Sequence, residues 1–516
     1  MTTPDDTGPD VRPPARSRRG TVFGSALAVC LTAVGVLSVQ GTTAPDAPAR
    51  DVLVGQPSPA ALQTTAPTTR ASAPTSPTTV PSASATPVTT SAARSSSAPT
   101  TTTRATPTPS PAATTATRSA TTVAAVATTT ARATAVAATP TGAATLPAAP
   151  AKTVVRPTSG ARAVLPAERF GAVGDGVRDD TVALQKALDS IPVGSVLQLR
   201  AGATYRHSDV LRVTRPDITV SGPGATLLAT NELRSAFHVD ADRVEVTGVT
   251  FALATSTERF HAYEQMKVRV SADDVVLRDV RVQGAAAAGV YVGNGSARFL
   301  LDRVQVSDSR ADGIHVTGGA RDGRIVSPVT TRTGDDGVAV VSYKADGVPC
   351  ARIAITSPVV NGTTWGRGIS VVGGDDVSYT DVRIRDTDAA AVYLGSEGDP
   401  YYTFPSRRVL VSGGTVSGAN DNAAKDHGAV LVYAGNTGTD TRDVTVQDLT
   451  VTGTRSTATW NVGVLADPGS AVNRVALLRL SLVGGPALPF YTSTPAAVRL
   501  SGLKDDGVAL AGRSGW

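Results

Sequence analysis

The chain has 516 residues, 48 Lys and Arg against 43 Asp and Glu, 34 prolines, two cysteines and only 4% aromatic residues. The basic surplus lies in the first 163 residues. Residues 164–516 carry 35 basic and 38 acidic side chains, which excludes the basic footprint expected of a nucleic-acid binder. Cys30 and Cys350 are too few for a disulfide framework, so stability has to come from packing.

Residues 1–20 contain Arg12, Arg16, Arg18 and Arg19, and an uncharged apolar run follows from Val22 to Val39. A basic n-region before about 18 apolar residues reads as a signal peptide or a single membrane anchor over 21–40. Arg18-Arg19 is also the pair used in twin-arginine export. Val29 stands before Cys30 where lipidation wants a small residue. The expected location is secreted or extracellular, with membrane contact only through this N-terminal segment.

Residues 41–163 are dominated by Thr, Ala, Pro and Ser. Such a composition cannot bury enough apolar surface to offset chain entropy, and it reads as a disordered stalk. Ser and Thr interleaved with Pro also suit O-glycosylation.

The folded domain is expected over 164–516. It opens with one capping helix over Asp179–Ile191, which has an acidic start and ends before Pro192. Short Val/Ile/Leu runs broken by Gly, Asp and Asn follow, a strand pattern. A small residue followed by a three-residue strand recurs at Gly289-Val290-Tyr291-Val292, Gly313-Ile314-His315-Val316, Gly337-Val338-Ala339-Val340, Gly368-Ile369-Ser370-Val371, Ala391-Val392-Tyr393-Leu394, Ala429-Val430-Leu431-Val432 and Gly463-Val464-Leu465-Ala466. The starts differ by 24, 24, 31, 23, 38 and 34 residues. A second strand series, including Val275-Val276-Leu277, Phe299-Leu300-Leu301 and Ile353-Ala354-Ile355, keeps phase with the first. Two or more strands per irregular turn make an all-β solenoid, a right-handed parallel β-helix whose longer turns carry loops on one face.

Stacking the turns about 4.8 Å apart makes neighbours of distant residues. The position before the small residue reads Ala288, Asp312, Asp336, Arg367, Ala390, Gly428, with Asp335 beside Asp336. Middle strand residues point away from the core, which puts Tyr291, His315, Ser370 and Tyr393 on one outer face. Trp365, before Gly366-Arg367-Gly368, offers a surface for a sugar ring. Carboxylates crowded over two adjacent turns repel and raise at least one pKa, as a general acid requires. The competing reading is that Asp merely tolerates tight turns, as at Asp273-Asp274, Asp375-Asp376 and Asp505-Asp506.

Phe170–Thr181 (FGAVGDGVRDDT), followed by Ala183-Leu184-Gln185-Lys186-Ala187-Leu188, resembles the opening segment of the pectate lyase superfamily of β-helix proteins. That group includes the polygalacturonases of glycoside hydrolase family 28. Asp312-Gly313, Thr333-Gly334-Asp335-Asp336 and Gly366-Arg367-Gly368 follow the order of that family's Asn-Thr-Asp, Asp-Asp and Gly-His-Gly signatures. The resemblance implies acid and water-activating roles for Asp312, Asp335 and Asp336, with Arg367 at the His position, while the strand pattern makes Tyr291, His315, Trp365 and Tyr393 the candidate substrate contacts. The chain departs from the pattern in Ser309-Arg310-Ala311 before Asp312, in Arg367 itself, and in Ala391–Leu394 where Arg-Ile-Lys is expected.

Three functions follow from these residues. The first is a glycoside hydrolase acting on a uronic-acid-containing or related polysaccharide, without cofactor. The second is a polysaccharide lyase or epimerase in which Arg367 is the base and calcium acidifies the substrate. The third is a cell-surface β-helix that binds glycan without turnover.

Overall fold

The computed structural model describes residues 162–516. The segments assigned above to 1–20, to 21–40 and to all but the last two residues of 41–163 lie outside the described residues.

The opening motif builds a plug for one end of the solenoid. Asp180, 1% exposed, accepts hydrogen bonds from the backbone N–H of Val173 at 2.7 Å and of Gly174 at 2.9 Å. Gly174 has φ +64°, and a Cβ there would lie 2.7 Å from the Tyr205 ring, so only glycine fits. Asp179 accepts from the N–H of Thr181 at 2.9 Å and from Ser208 Oγ at 2.5 Å. The helix runs over Thr181–Ser190, inside the expected bounds, and buries Leu184, Ala187 and Leu188 against the first turns. At the other end the chain folds back, and Arg499 and Leu500 pair antiparallel with Ser514 and Arg513. Both ends of a stack of parallel strands would otherwise expose unpaired edges.

Between the caps the chain winds in parallel turns with three strands each. One column forms an 11-stranded parallel sheet, from Leu211–Val213 to Phe490–Thr492, with Val290, Ile314, Val338, Ile369, Val392 and Val430 in register. The other two columns are represented by Leu277, Leu301, Ile325, Ile355 and by Val282, Val306, Thr330, Val360. In each column the inward residues are mostly β-branched or leucine, joined by aromatics such as Phe237, Phe251 and Tyr379, and the apolar ones are buried in one continuous core. Truncating one of them, Ile314→Ala for example, is worth about 2–5 kcal/mol.

The structure corrects one register. Val430 pairs with Val462, which puts Asn461 at the small-residue position and Trp460 before it, two residues earlier than the repeat suggested. A shift of two preserves strand alternation, so the pattern alone did not distinguish the two alignments.

The turns are punctuated by charged residues in the left-handed region. Asp274, Asp279, Asp308 and Asp322 have φ of 57°, 51°, 59° and 57°, and the residues stacked on them in the next turn, Arg298, Arg303, Arg332 and Arg352, have φ of 57°, 53°, 49° and 54°. Each Arg grips the Asp below it through two parallel N–H donors, at 2.7 and 2.8 Å for Arg303 on Asp279 and at 2.6 and 2.9 Å for Arg352 on Asp322. Loops interrupt this regularity around the 11-stranded sheet, whose outer face, with Tyr291, Ala339, Ser370 and Tyr393 buried on it, is the groove side of the solenoid.

Candidate active site

The acid residues sit where each turn bends into the groove strand. At this bend Gly313 and Gly337 let adjacent turns touch. A Cβ on Gly313 would lie 2.5 Å from the Gly337 carbonyl oxygen, and one on Gly337 would lie 2.6 Å from that of Gly368. A buried hydroxyl fixes the approach to the bend in successive turns. Ser309 Oγ donates to the Ala311 carbonyl at 2.8 Å, Thr333 Oγ1 to that of Asp335 at 2.7 Å, and Thr363 Oγ1 to that of Gly366 at 2.9 Å. The residue before each glycine is thereby aimed over the groove.

Asp312 and Asp336 are 8% and 3% exposed, and each uses one oxygen to bind the next turn. Asp312 Oδ1 accepts from the Asp336 N–H at 2.9 Å, and Asp336 Oδ1 from the Arg367 N–H at 2.7 Å. The second oxygens diverge in chemistry. Asp312 Oδ2 accepts from His315 Nδ1 at 2.5 Å, whereas Asp336 Oδ2 accepts from the neutral Ser370 hydroxyl at 2.5 Å. Asp335 is also 8% exposed, and its Oδ2 lies 2.9 Å from Arg259 Nη2. Its Oδ1 is buried without a hydrogen-bond partner, in space kept open because residue 366 is glycine, whose Cβ would lie 2.5 Å from that atom.

These surroundings split the three carboxyls. Burial pushes the Asp312 carboxyl up, but the His315 imidazolium outweighs it and holds the group below the ordinary range. Burial likewise pulls His315 down, and Asp312 more than reverses this, so the pair is an ion pair. Asp335 is raised by burial and by the Asp312 charge. Asp336 is pushed up to about 7 by burial, with Asp335 and Asp312 adding to it and Arg367 opposing. Below about pH 7 the cluster therefore holds an ionised Asp312 beside a protonated Asp336, a carboxylate and a carboxylic acid in adjacent turns.

Arg367 leans away from Asp336. Its Nη2 lies 2.6 Å from Glu397 Oε1 and its Nη1 3.8 Å from Asp336 Oδ2, with the guanidinium 4.3 Å from the centre of the Tyr393 ring. Tyr291 stacks on His315 with ring centres 5.7 Å apart. Trp365 is connected to the acids through Arg259, whose guanidinium lies 5.6 Å from the indole, while Lys425 Nζ stands 4.3 Å over it. Lys425 also pairs with Asp388 at 2.7 Å. The residues singled out from sequence thus lie in one patch. Trp365 carries cations on its ring, so its π-surface is already in use.

Sequence reasoning missed Arg259, Glu397, Lys425 and Asp388. Arg259 belongs to an irregular loop outside the repeat, held by hydrogen bonds from Arg310 to Ser256. Glu397 directly follows the strand Val392–Ser396, so the repeat could have placed it at the groove rim. One oxygen from each of Asp312, Asp335 and Asp336 lies within 4.8 Å of the others, which is close enough for a shared cation. However, Asp312 Oδ2 and Asp335 Oδ2 are already engaged by His315 and Arg259, which leaves Asp335 Oδ1 as the uncommitted oxygen. This donor set is poorly matched to calcium, which takes six to eight uncommitted oxygens.

No family model matches the chain. Solved structures do resemble it. The catalytic unit of a thermostable GH87 α-1,3-glucanase from Streptomyces thermodiastaticus is 16% identical, covers 69% of this chain and 72% of its own, and superposes with a TM-score of 0.52. A hyperthermoactive exopolygalacturonase from Thermotoga maritima is 12% identical, with 68% and 95% covered and a TM-score of 0.52. PfbA, a surface adhesin of Streptococcus pneumoniae, is 13% identical, with 66% and 90% covered and a TM-score of 0.50. At such identities the likeness establishes architecture alone, the right-handed parallel β-helix that the repeat indicated.

Proposed function

We propose that this protein is a glycoside hydrolase acting on polysaccharide outside the cell. The observation that carries the reading is the division of labour within one acid cluster, with Asp312 held ionised by His315 and Asp336 holding its proton up to about pH 7. Two carboxyls driven apart in this way make an acid and a base side by side. In the proposed step the Asp335/Asp336 pair gives its proton to the glycosidic oxygen as the bond from that oxygen to the anomeric carbon breaks. A water forms the new bond to the anomeric carbon and passes a proton to Asp312. The fold neighbours include a glucanase and a polygalacturonase, which supports a glycan substrate, and an adhesin, which is why the argument rests on the site and not on the fold.

The site favours hydrolysis over elimination. A lyase or epimerase would need Arg367 as the base, yet the guanidinium is salt-bridged to Glu397 and held firmly in its charged form. The extracellular location rests on the basic and apolar N-terminal segment. The test is incubation of the protein with a polysaccharide panel, with and without calcium, following reducing ends and ultraviolet absorbance together. Calcium-independent reducing ends that vanish in Asp336→Asn are expected. Calcium-dependent absorbance at unsaturated products would replace hydrolysis with elimination.

A further inference from the structure

We infer that the groove is built for a neutral glycan and not for a polyuronate. The inference rests on the hydrolase reading and names its substrate class. A uronate carboxylate is recognised by a cation that still has donors to give. Here each cation bearing on the acid cluster already has its charge paired with a carboxylate of the protein. His315 is 2.5 Å from Asp312, Arg259 2.9 Å from Asp335, Arg367 2.6 Å from Glu397 and Lys425 2.7 Å from Asp388.

The same closure continues along the groove floor toward the N-terminal end. Arg269, whose guanidinium also covers the Tyr263 ring at 4.3 Å, lies 2.9 Å from Asp240. Arg212 lies 3.4 Å from Asp240 and 3.8 Å from Glu264. On the C-terminal side of the acids the outward floor positions are Ala339, Ser370, Tyr393 and Leu431, none of them cationic.

The charge balance points the same way, since residues 164–516 carry more acids than bases. A polyanion laid along this floor would meet Asp240, Asp312, Asp335 and Glu397 with no net positive field to offset the repulsion. The rings of Tyr291 and Tyr393 are covered by His315 and by Arg367 and His427, so what the groove offers is polar acceptors, which suit the hydroxyl groups of uncharged sugars.

Two measurements on the full chain test this. Reducing-end release by the wild type is compared across neutral α- and β-glucans, polygalacturonate and alginate, and binding of the same polymers is measured with Asp336→Asn. Cleavage of a neutral glucan, with polyuronate binding at least tenfold weaker at low salt, is expected. Polyuronate bound or cleaved as well as any neutral glycan overturns the inference while leaving hydrolysis standing, and absence of cleavage and binding across both classes overturns both. The second arm adds Glu397→Gln to Asp336→Asn, which leaves Arg367 with neither carboxylate to turn to. The double variant should gain at least tenfold in polygalacturonate binding, and that gain should disappear at 0.5 M salt. No gain would mean that cation closure is not what excludes the uronate.

Discussion

Aspartate stacked against arginine in adjacent turns occurs in two regions of this molecule with opposite results. At the solenoid corners each Asp is gripped bidentately by the Arg above it, as in Asp322 with Arg352, and the carboxyl is held below its ordinary range by that hydrogen-bonded pair. In the groove, Asp336 has Arg367 directly above it, yet the guanidinium turns to Glu397 and leaves Asp336 with a neutral serine. Burial then prevails and the pKa rises to about 7. The residue types and the spacing are alike, so reactivity is set by where the arginine's donors point and by how much water reaches the pair.

The sharpest way to break the comparison is Asp336→Asn. Asparagine keeps an acceptor for the Arg367 N–H and supplies a donor to Ser370, so the fold is retained while the proton is lost. We expect activity to fall by about 10³-fold, within the range ascribed to general acid catalysis. Stability should move the other way. The folded state binds the Asp336 proton more tightly than the unfolded chain, so this group's contribution is present below the ordinary carboxyl pKa and is lost as pH rises through about 7. Thermal melts should therefore show the variant more stable than wild type at pH 8, by about 1–3 kcal/mol, and the gap should close toward pH 4. A variant no more stable at pH 8 would mean that Asp336 is not held in an unfavourable charge state.

The comparison also separates what could be read from the sequence from what could not. The solenoid was legible because Gly-Val-Tyr-Val and its relatives recur in phase, and because the opening motif closes its own loop through Asp180. The final register was not, since Asn461 replaces the small residue that marked the earlier turns. Asp335-Asp336 could not be told from Asp273-Asp274, Asp375-Asp376 or Asp505-Asp506 by composition. The backbone tells them apart, with Asp274, Asp376 and Asp506 at φ of 57°, 62° and 47° serving as turn residues. Asp335 and Asp336 are not in that conformation, which is a property of φ and not of residue type. Arg259 left no trace, because the loop that delivers it obeys no period. The corner pairs did leave one, since Asp274 and Arg298, Asp279 and Arg303, and Asp308 and Arg332 are each one 24-residue repeat apart.

Two variants sharpen the contrast from within the groove. His315→Asn removes the cation that keeps Asp312 ionised, so the Asp312 pKa should rise and the acidic limb of the pH–rate profile should move to higher pH. We expect about a 10–100-fold loss at pH 6, partly recovered at pH 8, and a uniform loss at both would assign His315 to packing alone. Glu397→Gln lets Arg367 turn toward Asp336, making the groove pair resemble a corner pair. The Asp336 pKa should then fall, and the basic limb should move to lower pH with a smaller loss at pH 6. An unmoved basic limb would show that Glu397 does not govern the arginine's direction.

The smallest effect is expected where the pairing looks most complete. Arg352 grips Asp322 with two short hydrogen bonds, but the side chains are 47% and 38% exposed, and water screens both charges. Exposed ion pairs gain little, because two hydrated groups give up solvent and rotamer freedom to meet. Arg352→Gln should change the melting temperature by no more than about 2 °C, and the difference should disappear in 1 M salt. A much larger drop would show that the corner pairs act cooperatively along the solenoid. Each pair joins one turn to the next, so losing one would then weaken its neighbours' alignment, and the double variant Arg303→Gln/Arg352→Gln would lose more than the two single losses together.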